Sequence, residues 1–121
     1  MPRILMIDDD DISREIVSTL LRENNYEVVT LAKASNIIDD INRIQPDILI
    51  TDILMPETDG IEVIMSTRKS HPDLPVIAIS SGGRINSTDY LNMARKLGAS
   101  AIVQKTNIES ELVSEIKNLR E

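Results

Sequence analysis

The chain has 121 residues, a length that fits one globular domain built around a single core. Its 13 Lys and Arg against 20 Asp and Glu give a net charge of −7 at pH 7, which disfavours direct binding to nucleic acid or to an anionic membrane. The absence of cysteine excludes disulfides, thiolate metal sites and cysteine nucleophiles.

Five short apolar runs rich in β-branched residues predict strands. They are Arg3–Ile7, Glu27–Leu31, Asp47–Thr51, Val76–Ile79 and Ala101–Gln104. Each is apolar along its length rather than alternating, which is typical of parallel strands covered on both faces. The first run meets a row of aspartates too early to be a signal peptide or a membrane span, so we expect a soluble, cytoplasmic protein.

Apolar residues at helical spacing fill the segments between these strands, and we expect them to face the core. The stripes are Ile12, Ile16, Val17, Leu20 and Leu21; Ile37, Ile38 and Ile41; Ile61, Ile64 and Met65; Leu91, Ala94 and Leu97; and Ile108, Leu112, Val113, Ile116 and Leu119. Asn24-Asn25 and Gly98 predict helix ends, while Thr106 with Glu109 predicts a capping box for the last helix.

Strict alternation of strand and helix predicts an α/β fold with a doubly wound, five-stranded parallel sheet, (βα)5, in the flavodoxin-like order 2-1-3-4-5. We expect one domain over residues 1–121, with no output domain.

Charged and hydroxyl side chains follow the predicted strands: Asp8 and Asp9 after the first, Asp52 after the third, Ser80 after the fourth and Lys105 after the fifth. Ligands of open α/β sheets bind at this carboxyl edge. Clustered carboxylates repel one another unless a cation neutralises them, and an all-oxygen site suits Mg²⁺. A carboxylate nucleophile beside Mg²⁺, a lysine and a hydroxyl is what phosphoryl transfer needs.

These residues, with Met55-Pro56 and Asp59-Gly60 after Asp52, resemble the receiver domains of two-component response regulators. The resemblance covers the whole chain. It implies that Asp52 accepts a phosphoryl group from a sensor histidine kinase or a histidine phosphotransfer protein. It also implies that this Mg²⁺-dependent step switches a surface for an unidentified downstream protein.

The same resemblance implies a role for each site residue. Asp9, Asp52 and the backbone carbonyl of Leu54 would hold Mg²⁺, and Asp8 would act through a metal-bound water. Ser80 would bond a phosphoryl oxygen and Lys105 would pair with the phosphoryl group. The chain would then be a signalling switch that catalyses only its own phosphorylation and dephosphorylation. We expect a monomer or weak dimer without direct nucleic-acid or membrane contacts.

Two positions depart from the usual receiver pattern. Thr106 follows Lys105 where proline is usual, so a trans peptide is favoured, and Ile102 occupies a position that is often aromatic. Three other interpretations stay open. An aspartate-dependent phosphohydrolase would need a second Asp where Leu54 stands, a flavin module would need a Ser/Thr phosphate loop, and a scaffold would not need the complete acidic set.

Overall fold

The computed structural model describes the backbone of residues 2–53, 60–80 and 87–120, and their side chains except those of 87–91 and 120. The strands are β1 (Arg3–Ile7), β2 (Glu27–Leu31), β3 (Ile48–Asp52), β4 (Val76–Ser80) and β5 (Ala101–Gln104). The α-helices are α1 (Asp11–Glu23), α2 (Ile37–Ile44), α3 (Gly60–Ser70), α4 (Ser87–Leu97) and α5 (Val113–Arg120). None of these described helices has the length and apolar character needed to cross a membrane.

The five strands form one parallel sheet in the order β2-β1-β3-β4-β5, which confirms the predicted fold. The predicted bounds are right for β1, β2 and β5, while β3 begins and ends one residue later than predicted and β4 ends one residue later. Asp52 pairs with Ile79 and Ser80 pairs with Gln104 in the ladder. These two site residues are therefore fixed by the sheet itself and not by the loops that follow it.

Side chains that alternate along the strands enter two cores, one on each face of the sheet. Leu5 and Ile7 of β1 pack in the cluster that includes residues of α2, α3 and α4. Ile4 and Met6 pack in the cluster that includes residues of α1 and α5. Burial on both faces explains why the strands read as continuous apolar runs.

The helical stripes are only partly buried, and the expectation that they all face the core is wrong for three residues. Ile12 is 68% exposed, Ile16 48% and Met65 49%, whereas Val17 and Leu21 are fully buried. Successive residues of an α-helix are about 100° apart, so the row that contains Ile12 and Ile16 is turned away from the row that contains Val17 and Leu21. A helix packed on one face of a sheet buries only one of these rows.

The predicted helix ends at Asn24-Asn25 and Gly98 are confirmed. Asn24 caps α1 and Asn25 has a left-handed φ of 68°. Gly98 has a φ of 128° after α4, where the amide of Ala99 donates to the carbonyl of Ala94. Such left-handed residues let the chain leave a helix while the last carbonyls stay bonded.

The predicted capping box of Thr106 and Glu109 is wrong. The chain forms a 3-10 turn over Lys105–Asn107 and a π-helical turn over Ile108–Leu112 before α5, and neither turn has a side-chain cap. The wider turn leaves no standard first α-helical turn for the box to close. The peptide between Lys105 and Thr106 is trans, as predicted.

Candidate functional site

The fold brings the predicted site residues to the carboxyl edge of the sheet. Asp52 and Ser80 are the last residues of β3 and β4, Asp8 directly follows β1, and Lys105 directly follows β5. Asp8, Asp52 and Ser80 are buried, at 0%, 3% and 1% exposure. Leu54 lies outside the described residues, so its predicted role as a carbonyl ligand is not tested.

Two buried carboxylates share the ammonium group of Lys105. Its Nζ lies 3.0 Å from Oδ2 of Asp8 and 3.1 Å from Oδ2 of Asp52. The Lys105 side chain is 19% exposed, whereas those of Asp8 and Asp52 are 0% and 4% exposed. Lys105 was predicted to pair with a phosphoryl group, and the structure shows that it also links the first and third strands of the site.

Opposing effects act on the pKa of Lys105. Burial lowers this pKa, but the close contact with the Asp8 carboxylate and the negative charges of Asp52 and Asp8 together outweigh burial. The pKa of Lys105 therefore lies above its ordinary value of 10.5. The group carries its positive charge at any pH at which the protein would work.

Asp8, Asp9 and Asp52 form a cluster that fits a divalent cation. Each offers one carboxylate oxygen, and these oxygens all lie within 4.8 Å of one another. Asp9 is exposed at the mouth of the cluster, while Asp8 and Asp52 form its buried floor. Oδ2 of Asp8 is fully buried and has no well-directed hydrogen bond. It contacts the Lys105 ammonium and is placed to contact a bound cation as well. Oxygen ligands with excess negative charge are those that Mg²⁺ prefers.

Backbone contacts hold Asp8 in place. Its amide donates to the carbonyl of Leu31 at 3.1 Å, and its Oδ1 accepts from the amide of Asp10 at 3.0 Å. Asp10 in turn caps α1, because its carboxylate accepts from the amide of Ile12 at 3.0 Å. The end of β1 and the start of α1 are thus joined through the acidic residues.

Gly60, the first residue of α3, lies against the backbone at the end of β3. Its amide donates to the carbonyl of Ile53 at 2.9 Å, so the start of α3 is held beside the end of β3. A Cβ at Gly60 would lie 2.3 Å from the carbonyl oxygen of Asp52 and 2.5 Å from Cα of Ile53. Only glycine allows α3 to begin against the backbone of the phosphoacceptor candidate.

Sequence reasoning missed one residue of this site, Arg14 of α1. Its Nη1 donates to the carbonyl of Asp8 at 2.7 Å, and its Nη2 pairs with Asp11. A signal existed, since a basic side chain near a helix N-terminus opposes the helix dipole and needs a local reason. Ile102, at the position that is often aromatic, is only partly buried and packs against the α2–α4 core.

This arrangement provides the groups that phosphoryl transfer to a carboxylate needs. Asp52 offers an oxygen nucleophile, Lys105 a fixed positive charge, and Ser80 a hydroxyl at the neighbouring strand end. The acidic pair Asp8 and Asp9 can hold a metal ion that neutralises charge on the transferred group.

Comparison with known proteins points the same way. The family model described as the response regulator receiver domain matches residues 4–117. The protein-glutamate methylesterase/protein-glutamine glutaminase of Trichodesmium erythraeum (strain IMS101) is 38% identical over 108 residues, covering 85% of this chain and 30% of the relative. The transcriptional regulatory protein PrrA of Mycobacterium tuberculosis is 30% identical over 118 residues, covering 98% of this chain and 49% of the relative. The chain therefore spans less than half the length of these curated relatives.

Solved structures show the same fold over the whole chain. A putative response regulator from Chloroflexus aurantiacus J-10-fl superposes with a TM-score of 0.88 at 30% identity and covers 98% of both chains. The response regulator protein TrrA of Thermotoga maritima, solved in complex with Mg(2+)-BeF, has a TM-score of 0.83 at 28% identity and covers 98% of this chain and 99% of its own. The chain belongs to the response regulator receiver domains of two-component systems.

Proposed function

We propose that Asp52 is the phosphoacceptor of this receiver domain and that Mg²⁺ is required for its phosphorylation. The observation that carries the proposal is the contact between Lys105 and the buried Asp52 carboxylate, beside a second buried acid and within reach of Asp9. In the step we propose, an Asp52 oxygen bonds to phosphorus while the bond from phosphorus to the donor breaks. The donor leaves with its electron pair, and Asp52 becomes an acyl phosphate.

The residues that would hold Mg²⁺ are Asp9 and Asp52, with Asp8 acting through a water and the carbonyl of Leu54 as a further ligand suggested by family resemblance. The ion would supply positive charge next to the phosphoryl oxygens. The complex of TrrA with Mg(2+)-BeF supports this proposal, since TrrA has the same fold. The fully buried Oδ2 of Asp8 supports it independently.

Receiver domains are signalling switches that interact with histidine kinases and downstream effectors. For this chain we propose a histidine kinase or a histidine phosphotransfer protein as donor, within a two-component system or a phosphorelay in the cytoplasm. We propose that the chain catalyses only its own phosphoryl transfer and dephosphorylation, and that it acts as a monomer or weak dimer.

The surface next to the site suits a protein donor. Ile12 and Ile16 expose apolar side chains on α1, and Ile16 borders a cavity of about 450 Å³ together with Lys105 and Ile108. Apolar residues beside a reactive group are typical of a protein contact. We expect Ile16→Glu to slow phosphorylation by a histidine kinase at least tenfold, and to leave phosphorylation by acetyl phosphate unchanged because that donor needs no protein contact. Equal slowing with both donors would contradict the proposal that the protein donor binds at this surface of α1.

Intact-mass analysis tests the phosphoacceptor. Wild type incubated with acetyl phosphate and Mg²⁺ gains one phosphoryl group, whereas Asp52→Asn gains none and wild type with EDTA gains none. Asp11→Asn, which changes a neighbouring exposed aspartate, is the matched control and behaves as wild type. If Asp52→Asn is modified as readily as wild type, the assignment is wrong.

The switched surface would include α4, β5 and α5, because Ser80 ends β4 and Lys105 directly follows β5. Ser80 would draw its loop toward the phosphoryl group, and Ile102 would repack as an aliphatic side chain, which biases a two-state equilibrium. Amide chemical shifts before and after beryllium fluoride addition test this idea. Shifts confined to the surroundings of Asp52, with none on α4 or β5, would contradict it.

A further inference from the structure

We propose that Arg14 is a positioning residue of the metal site, which fixes the peptide between Asp8 and Asp9 by holding the carbonyl of Asp8. The proposal rests on the proposed function, since it concerns the same Mg²⁺ site. Arg14 touches no reacting atom in this arrangement. Its effect would pass through the backbone to the carboxylate of Asp9.

The guanidinium of Arg14 contacts two partners, the backbone of Asp8 on its inner side and the side chain of Asp11 on its outer side. Its Nη1 donates to the carbonyl of Asp8 at 2.7 Å, and its Nη2 pairs with Asp11. The Arg14 side chain is only 19% exposed, whereas that of Asp11 is 88% exposed. Exposed ion pairs contribute little to the free energy of unfolding. The sheltered hydrogen bond to the Asp8 carbonyl is therefore the contact through which Arg14 acts on the site.

The carbonyl of Asp8 is the one polar group of that residue not already held by another contact described above. Its amide is bonded to Leu31, its Oδ1 to the amide of Asp10, and its Oδ2 faces Lys105. The side chain of Arg14 therefore completes the set. Asp8 is then fixed from four sides.

Fixing this carbonyl also fixes where the next residue begins. The Asp8 carbonyl and the Asp9 amide belong to one planar peptide, so the carbonyl direction sets the direction in which Cα of Asp9 lies. Asp9 is exposed, and in the described part of the chain nothing holds its carboxylate by a hydrogen bond or an ion pair. The backbone is therefore what places the Asp9 carboxylate within reach of Asp8 and Asp52.

The backbone of Arg14 is itself anchored. The hydroxyl of Ser18, a buried residue with 5% exposure, donates to the carbonyl of Arg14. The amide of Arg14 donates to the carbonyl of Asp10 at 3.0 Å. Both the amide and the carbonyl of Arg14 are therefore held by hydrogen bonds within α1, and its side chain extends to the end of β1.

Charge and positioning predict opposite effects on Mg²⁺ binding. If Arg14 acted only as a positive charge beside four aspartates, its removal would make Mg²⁺ bind more tightly. If Arg14 positions the Asp8–Asp9 peptide, its removal makes Mg²⁺ bind more weakly, by roughly tenfold as for other residues that orient metal ligands. The sign of the change decides between the two.

The experiment measures the dissociation constant of Mg²⁺ by NMR titration, because the chain has no tryptophan to report binding by fluorescence. The variants are Arg14→Met, which removes charge and hydrogen bonds, and Arg14→Lys, which keeps the charge and one donor. We expect a roughly tenfold higher dissociation constant for the methionine variant and an intermediate value for the lysine variant. An unchanged or lower value for Arg14→Met overturns the proposal.

Two controls separate positioning from general damage to the fold. Asp11→Asn removes the outer partner of Arg14 and keeps the inner contact, so Mg²⁺ binding should match wild type. Leu21→Val loosens the core packing of the same helix seven residues beyond Arg14, so its unfolding temperature falls while its Mg²⁺ affinity stays within twofold of wild type. Should Arg14→Met not fold, Arg14→Gln takes its place, since its amide is too short to span both partners.

A second readout uses the rate of phosphorylation by acetyl phosphate. For Arg14→Met, the Mg²⁺ concentration that gives half the maximal rate should rise about tenfold, while the rate at saturating Mg²⁺ stays within twofold of wild type. A wild type that neither binds Mg²⁺ nor becomes phosphorylated would contradict the proposed function. A wild type that does both, with Arg14→Met indistinguishable from it, would contradict the role of Arg14 alone.

Discussion

Charged side chains at the amino edge of the sheet are partly exposed, whereas two acids at the carboxyl edge are buried. At the amino edge, Arg3 pairs with Glu27, its Nη1 donates to the carbonyl of Ile44 at 2.6 Å, and its backbone amide donates to Asp47 at 2.7 Å. The Arg3 and Glu27 side chains are 41% and 47% exposed. At the carboxyl edge, the carboxylates of Asp8 and Asp52 are buried and share the single ammonium of Lys105.

The difference separates a structural arrangement from a functional one. Exposed charges cost little to keep, whereas like charges buried close together lower stability unless a cation lies between them. A fold selected for stability alone would not bury two acids side by side. The imbalance at the carboxyl edge is therefore a sign that a ligand completes it.

Removing the shared ammonium should have the largest effect. We expect Lys105→Met to lower the free energy of unfolding by about 3 kcal/mol without Mg²⁺, because two buried carboxylates lose their partner. Urea unfolding at pH 8 with EDTA measures this loss, and added Mg²⁺ should recover part of it. A loss below about 1 kcal/mol, typical of exposed pairs, would mean that the site is already well solvated.

Removing one of the two carboxylates should have the opposite sign. We expect Asp8→Asn to raise the free energy of unfolding by about 1.5 kcal/mol without Mg²⁺, since Lys105 then pairs with Asp52 alone. The gain should shrink as Mg²⁺ is added, because the ion binds the complete wild-type site more tightly than the variant site and stabilises it more by mass action. A destabilised Asp8→Asn in EDTA would show that the hydrogen bonds of Asp8 outweigh charge repulsion.

The amino edge supplies the matched comparison. We expect Arg3→Met to lower the free energy of unfolding by less than Lys105→Met does, through the lost bond to the carbonyl of Ile44 and the lost exposed pair with Glu27. The same urea experiment should give one value with and without Mg²⁺. A Mg²⁺-dependent effect of Arg3→Met would remove the distinction between the two edges.

We expect the smallest effect on stability from Asp10, an exposed acid at the same edge of the sheet. Its substitution tests whether an acid at this edge must be buried to affect stability strongly. The hydroxyl of Ser13 and the amide of Ile12 hold the pKa of this exposed carboxyl below its ordinary value of 3.8. Its contribution to stability is therefore complete above pH 3.8 and is lost as pH falls through the lower folded pKa. Thermal melts should show the difference between wild type and Asp10→Asn shrinking below that pH, and a constant difference would contradict the assignment.

The strands and most of the site could be predicted from local patterns. A buried strand reads as an apolar run, and a polar residue at its end is placed by the sheet, which is why Asp8, Asp52, Ser80 and Lys105 were found. Rotation of a helix about its axis leaves a weaker trace, so the exposure of Ile12 was not predicted. The basic Arg14 near the start of α1 indicates that it has a local partner, but which carbonyl it contacts depends on how α1 packs beside β1.

The contact of Lys105 with Asp8 also bears on how the protein is made. The acids of the site leave the ribosome with the first and third strands, whereas their ammonium partner follows β5, the last strand of the sheet. Until β5 docks, Lys105 is not held beside these carboxylates. Docking of β5, an edge strand of the sheet, therefore brings Lys105 to Asp8 and Asp52 and completes this charged site last.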